Sequence, residues 1–177
     1  MFNKILVAVD THDTCQPVVD KALSLAQLTA SNLMLVNVIS PFDEKYPPIY
    51  VYPNTAIPTL YGEVVKEYIQ ESENIKQDKI KFLRQLCQQA IDLGIDAEFR
   101  ILFGDPSLVI CEIAQTWNAD LIIIGRRGRT GLSELFLGSV SNYVLHHALC
   151  SVLTVQQSVK ANSQELQQVQ TANSLQV

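Results

Sequence analysis

The sequence predicts an α/β domain, a doubly wound parallel sheet with helices on both faces, and three observations lead there. Short runs that are apolar at every position, ILVAV at 5–9 and LIII at 121–124, read as strands buried on both faces. Between such runs, apolar residues recur at helical spacing. The two kinds of segment alternate along the chain, five strands with four helices, as in a sheet built from crossover connections.

Each element has its own signal. Ile5–Val9 is the first strand, and the polar stretch Asp10 to Cys15 is a loop. From Pro17 to Leu28, Val18, Val19, Ala22, Leu23, Leu25 and Ala26 recur as on a helix, with Pro17 in the first turn, where its missing N–H costs nothing. Leu33–Ile39 is a second strand. Glu63 to Leu93 is helical, with Ile80, Leu83, Leu86, Cys87, Ala90 and Ile91 on one stripe and Gly94 as its stop. Ala97, Phe99 and Ile101 alternate with Glu98 and Arg100, a third strand with one wetter face. Asp105 caps the next helix, Pro106 opens it, and it ends near Trp117. After the fourth strand, Leu121–Ile124, come a glycine loop from Gly125 to Gly138, a helix over Ser139 to Ala148 and a fifth strand, Val152–Val155.

Two stretches stand apart. Residues 40–62 hold Pro41, Pro47, Pro48, Pro53 and Pro58 along with Tyr46, Tyr50, Tyr52 and Tyr61, too many prolines for a central strand or helix interior. This insertion is either a variable segment over the sheet edge or a lid or docking segment. Residues 156–177 form a Gln-rich tail, read as frayed or flexible, beyond a domain spanning 1–155.

Composition bounds the function. With 177 residues and 47% hydrophobic content, one domain with a packed core is expected. A net charge of -5 without long single-sign runs argues against nucleic acid or an anionic membrane as partner. No apolar stretch approaches the ~20 residues of a membrane span and no secretory signal is visible, so a cytoplasmic location is expected. Cys15, Cys87, Cys111 and Cys150 form no CxxC pair or zinc spacing and read as reduced packing residues, with a redox role for Cys15 left open. His146 and His147 are adjacent, not spaced four apart, and read as surface residues, not metal ligands.

The informative segment is Gly125-Arg126-Arg127-Gly128, nine residues, then Gly138-Ser139. Glycines between a buried strand and a helix let backbone N–H groups approach an anion. The helix from Ser139 adds unpaired N–H groups and its positive dipole end, and Arg126, Arg127 and Arg129 add charge. The alternative is three tight-turn glycines with solvated arginines. The loop is neither a Walker A sequence nor the GxGxxG fingerprint.

At these residues the chain resembles the universal stress protein family, whose ATP-binding branch carries G-x2-G-x9-G-[ST] after the fourth strand. Gly125, Gly128, Gly138 and Ser139 match that motif without a gap. KILVAVD, GDPSLVICEIA, NADLIIIGRRG and LGSVSNYVLHHALCSVLTV also look like this family, in order, so that the likeness covers 2–155. Ser151 departs from the proline usual where the last strand begins. The resemblance implies a strand order of 3-2-1-4-5, with Asp10 and Gly125 side by side. It implies that the backbone around Ala8 and Val38 borders adenine, and that Gly125, Arg126, Arg127, Gly128 and Arg129, with Ser139, Val140 and Ser141, wrap phosphates and ribose. Asp10 would accept from ribose or the adenine side, or else cap its own turn; His12 would approach the phosphates, or else be solvated. The function expected is that of a stress-response regulator holding ATP, with Mg2+, or AMP or cyclic AMP, by binding rather than turnover. Slow ATP hydrolysis is the alternative. A homodimer through Val152–Val155 is the expected assembly.

Overall fold

The computed structural model describes residues 1–10, 15–40, 58–126 and 137–156; at 58–65, 67–69 and 72 it describes the backbone only. Most of the 40–62 insertion, His12, Arg127, Gly128, Arg129 and the tail from 157 lie outside the described residues.

The elements alternate as expected: β1 (Lys4–Ala8), α1 (Gln16–Thr29), β2 (Asn32–Ile39), α2 (Pro58–Asp92), β3 (Ala97–Phe103), α3 (Pro106–Trp117), β4 (Leu121–Gly125), α4 (Ser139–His147) and β5 (Ser151–Val155). The strands form one five-stranded sheet in the order β3-β2-β1-β4-β5, every neighbouring pair parallel. This is the doubly wound sheet, in the order that the resemblance implies.

Alternation along the central strands divides the core in two. Ile5, Val7, Leu33, Leu35, Leu121 and Ile123 face α1 and α2, where they meet Val19, Ala22, Leu83 and Ala90. Leu6, Met34, Val36, Ile122 and Ile124 face α3 and α4, against Ile110, Ile113, Ala114 and Val144. Continuous apolar runs in the sequence are thus two alternating faces, both covered.

The helix ends follow local chemistry. At the end of α2, Gly94 N–H donates to Ile91 O (2.8 Å) and Ile95 N–H to Ala90 O (3.0 Å), with Gly94 at φ 78°, the Schellman stop. Asp105 caps α3, its carboxylate accepting from the N–H groups of Ser107 (2.8 Å) and Leu108 (3.4 Å).

Two bounds differ from the sequence reading. The helix α2 begins at Pro58, not Glu63, because proline is excluded from a helix interior but suits its first position. The strand β3 continues past Ile101 to Phe103 and stops at Gly104, whose φ of 138° few side chains adopt. A Cβ there would also sit 3.0 Å from Val109 Cγ2.

At the N-terminal edge of the sheet, Asp120 Oδ2 accepts from the N–H groups of Asn3 (2.7 Å) and Lys4 (2.9 Å). These two bonds hold its carboxyl below the usual carboxylate range. A lowered folded-state pKa contributes stability above the unfolded value, roughly 3.9, that is lost as pH falls through the folded value. Stability is therefore expected to decline on acidification below about pH 4, and Asp120→Asn to flatten that acid limb. Urea titrations of both proteins from neutral to acid pH check this; parallel curves would contradict it.

Candidate functional site

In a doubly wound sheet, ligands enter beyond the carboxyl ends of the strands where the winding reverses. Here that point lies between β1 and β4, whose last paired residues are Ala8 and Ile124. Asp10 and Gly125 lie just past this pair, so the parallel register brings the first loop and the glycine loop to the same place. Asp10 is exposed there.

Backbone bonds fasten both ends of the glycine loop. Arg126 N–H donates to Val155 O (2.8 Å), continuing the β4–β5 ladder, and Gly138 N–H donates back to Arg126 O (2.9 Å). The loop thus leaves and returns at one point, and α4 starts from that point. The Arg126 guanidinium donates to Gln156 Oε1 (2.7 Å), beyond the end of β5.

The start of α4 differs from that of α3. Its N-cap is Gly138, which has no side chain to accept from the first turn. The first intrahelical bond at this end is Asn142 N–H to Gly138 O (2.9 Å). The N–H groups of Ser139, Val140 and Ser141 therefore have no acceptor within the helix, and the positive dipole end lies beside the switch point. At φ -59°, ψ 154° Gly138 adopts an extended conformation open to any residue. Gly138 is therefore not held by a glycine-only conformation; what it supplies is the lack of a capping side chain.

The two serines have different places. Ser139 is exposed at the head of the helix. Ser141 is 2% exposed, and its hydroxyl lies 3.0 Å from Gly138 O and 3.3 Å from Arg126 O. Its hydroxyl therefore secures the loop ends, a task that spacing alone does not reveal.

Ala8 and Val38 are half-buried along the α3–α4 face, as are Leu102 and Val140, all packed on the margin of the same core cluster. Ala8, Val38 and Leu102 stand at or near the carboxyl ends of β1, β2 and β3, and Val140 in the first turn of α4.

Sequence reading missed Asn37 and Lys79, which are 2% and 4% exposed. Their signals were present: Asn37 is the polar residue within LMLVNVI, and Lys79 precedes Leu83 by one turn on the buried stripe of α2. Asn37 Nδ2 donates to Val9 O (2.8 Å), and Lys79 Nζ lies 3.4 Å from Asn37 Oδ1.

Cys87, Cys111 and Cys150 are free thiols; Cys15 and Cys87 are buried, and Cys111 and Cys150 half-buried. Burial pushes the thiols of Cys87, Cys111 and Cys150 up, away from the reactive thiolate. His146 and His147 are exposed in the last turn of α4, and His147 stacks on Tyr143 at 3.8 Å. Among the described residues, no three His, Cys, Asp or Glu side chains gather as a metal site, and no helix is long and apolar enough to cross a membrane.

The fold and this edge define a doubly wound α/β protein with a glycine-capped helix start beside its switch point. The chain belongs to the universal stress protein family, whose model matches residues 1–156. It is 38% identical over 162 residues to the universal stress protein Sll1388 of Synechocystis sp., covering 88% of this chain and 98% of that protein. To YxiE of Bacillus subtilis it is 32% identical over 156 residues, covering 88% and 99%. Among solved structures, a universal stress protein in complex with cAMP superposes with a TM-score of 0.59 at 22% identity, covering 88% of this chain and 97% of that one. The family member At3g01520 of Arabidopsis thaliana, with AMP bound, gives 0.57 at 20%, covering 89% and 93%. The protein from Archaeoglobus fulgidus in complex with dAMP gives 0.54 at 21%, covering 86% and 96%. At these identities the structural likeness establishes the fold.

Proposed function

We propose that the protein is a regulator that binds an adenine nucleotide, ATP foremost, at the β1–β4 switch point, and acts by binding rather than turnover. The observation that carries this reading is the glycine-capped start of α4: three backbone donors at a positive helix end suit phosphate. Half-buried apolar side chains at the carboxyl ends, Ala8 and Val38 among them, suit the apolar faces of a base. Asp10 suits ribose hydroxyls. Gly125 and Arg126, with Arg127, Gly128 and Arg129 of the glycine loop, complete the phosphate cradle by the family motif. Relatives of this fold solved with AMP, dAMP and cAMP support an adenine nucleotide as the ligand class. Magnesium would arrive on the phosphates of ATP.

The test is thermal unfolding with and without ATP–Mg2+, AMP and cyclic AMP, with calorimetry of binding. A ligand at a hundredfold excess over Kd adds ~2.7 kcal/mol, a shift of roughly 5–11 °C for a domain of this size. Absence of both shift and heat with all three ligands would refute the reading.

The same reading includes a homodimer through β5. This strand is a sheet edge, and Leu153 on it, Leu149 just before it and Leu145 on α4 are exposed. An open apolar edge favours pairing with a second copy across a two-fold axis. Sedimentation at micromolar concentration is expected to show a dimer that Leu153→Lys dissociates; a monomeric wild type would disprove it.

A further inference from the structure

The geometry points to Lys79 as a positioning residue of the nucleotide site: through Asn37 it fixes the peptide plane that leads into Asp10. This rests on the nucleotide reading above and adds to it a residue from α2, an element with no part in the family motif.

The argument begins with an anomaly of burial. Lys79 is 4% exposed on the stripe that continues into Leu83, Leu86 and Ala90. An apolar residue there would extend the stripe, whereas an ammonium must be desolvated to occupy it. Such a placement persists where the charge has a task that packing cannot perform.

Its neighbours show the task. An ammonium only donates, so the atom of Asn37 facing Lys79 Nζ at 3.4 Å is the amide oxygen. A main-chain carbonyl only accepts, so the amide nitrogen faces Val9 O at 2.8 Å. The two partners admit one orientation of the Asn37 amide. Val9 O belongs to the peptide unit joining Val9 to Asp10, and Val9 N–H is itself held by Val36 O at 2.9 Å. The N–H and the C=O of Val9 are thereby both held by β2, and the plane from which Asp10 departs is set through Asn37 from α2.

The experiment measures Kd for ATP and AMP by calorimetry in the wild type, Lys79→Met, Asn37→Asp, Asp10→Ala and the double variant Asp10→Ala/Lys79→Met. Asn37→Asp keeps the size and the acceptor facing Lys79 but turns an acceptor toward Val9 O, and it serves where Lys79→Met does not fold. Both Lys79→Met and Asn37→Asp are expected to weaken ATP and AMP by the same factor, about tenfold, the scale of one misplaced hydrogen bond to a ligand. In the Asp10→Ala background the Lys79→Met effect should vanish, a non-additivity that general loosening of the fold would not produce. Unchanged Kd in both single variants, or full additivity with Asp10→Ala, overturns the inference while leaving nucleotide binding intact. A wild type that binds neither ligand overturns both.

Discussion

Replacing Gly138 with aspartate is expected to abolish nucleotide binding while leaving the fold as stable as before, or slightly more so. The backbone at this position, φ -59° and ψ 154°, accepts an ordinary residue. Aspartate is a good N-cap, worth a few tenths of a kcal/mol over glycine. Asp105 shows the arrangement on α3, where its carboxylate takes the N–H groups of Ser107 and Leu108. The same carboxylate at 138 would take the donors that we assign to phosphate and place a negative charge in their stead. Loss of one or two charge-assisted bonds of about 1.5–3 kcal/mol each amounts to roughly tenfold to ten-thousandfold in affinity, and repulsion between the carboxylate and phosphate adds to it. Gly138→Asn, which caps without charge, should lose less. Calorimetry with ATP, beside a thermal melt of each apo variant, reads both halves; an aspartate variant that binds like wild type would remove α4 from the site.

The largest loss of stability is expected from Ile123→Ala. Ile123 is fully buried in β4, facing α1 and α2, and pairs with Val7 of β1 and Leu153 of β5. Truncation there removes transfer free energy and leaves a cavity between layers that cannot close around it, together about 2–5 kcal/mol. For a domain of this size that lowers Tm by roughly 4–20 °C. Leu108→Ala, at a side chain 53% exposed on α3, is the control and should stay within about 0.5 kcal/mol of wild type. Urea unfolding of both variants checks the contrast, and equal midpoints would contradict this account of the core.

How much of this was legible in the sequence depended on how local the cause was. Continuous apolar runs marked the strands because both faces of a parallel sheet are covered, and Gly94 and Asp105 marked helix ends because their chemistry acts within a few residues. The start of α2 was misplaced because Pro58 belongs to a proline cluster whose members read alike in sequence. The end of β3 was misplaced because Leu102 and Phe103 follow the visible alternation and only the conformation of Gly104 stops the strand. Asp10, Ala8, Val38 and the described ends of the glycine loop lie at or near the carboxyl ends of the strands, as parallel winding requires. The Asn37–Lys79 pair was not legible, since its partners lie on different elements and meet only when α2 packs on the sheet. The task of Ser141 was hidden in the same way: its acceptors are main-chain oxygens at Gly138 and Arg126, and nothing in the side-chain sequence announces them.

The pairing of β1 with β4 bears on how the chain comes into being during synthesis. β1 emerges first from the ribosome, yet its second neighbour, and the Asp120 carboxylate that holds Asn3 and Lys4, are made more than a hundred residues later. At about 5–20 residues per second, β1 waits several seconds, paired on one side by β2 with its other edge open. The donors of α4 come later still, so no nascent chain shorter than about the end of α4 has a complete switch point. Nucleotide capture would then have to await the synthesis of α4, and a chain halted before it would hold no ligand at this point.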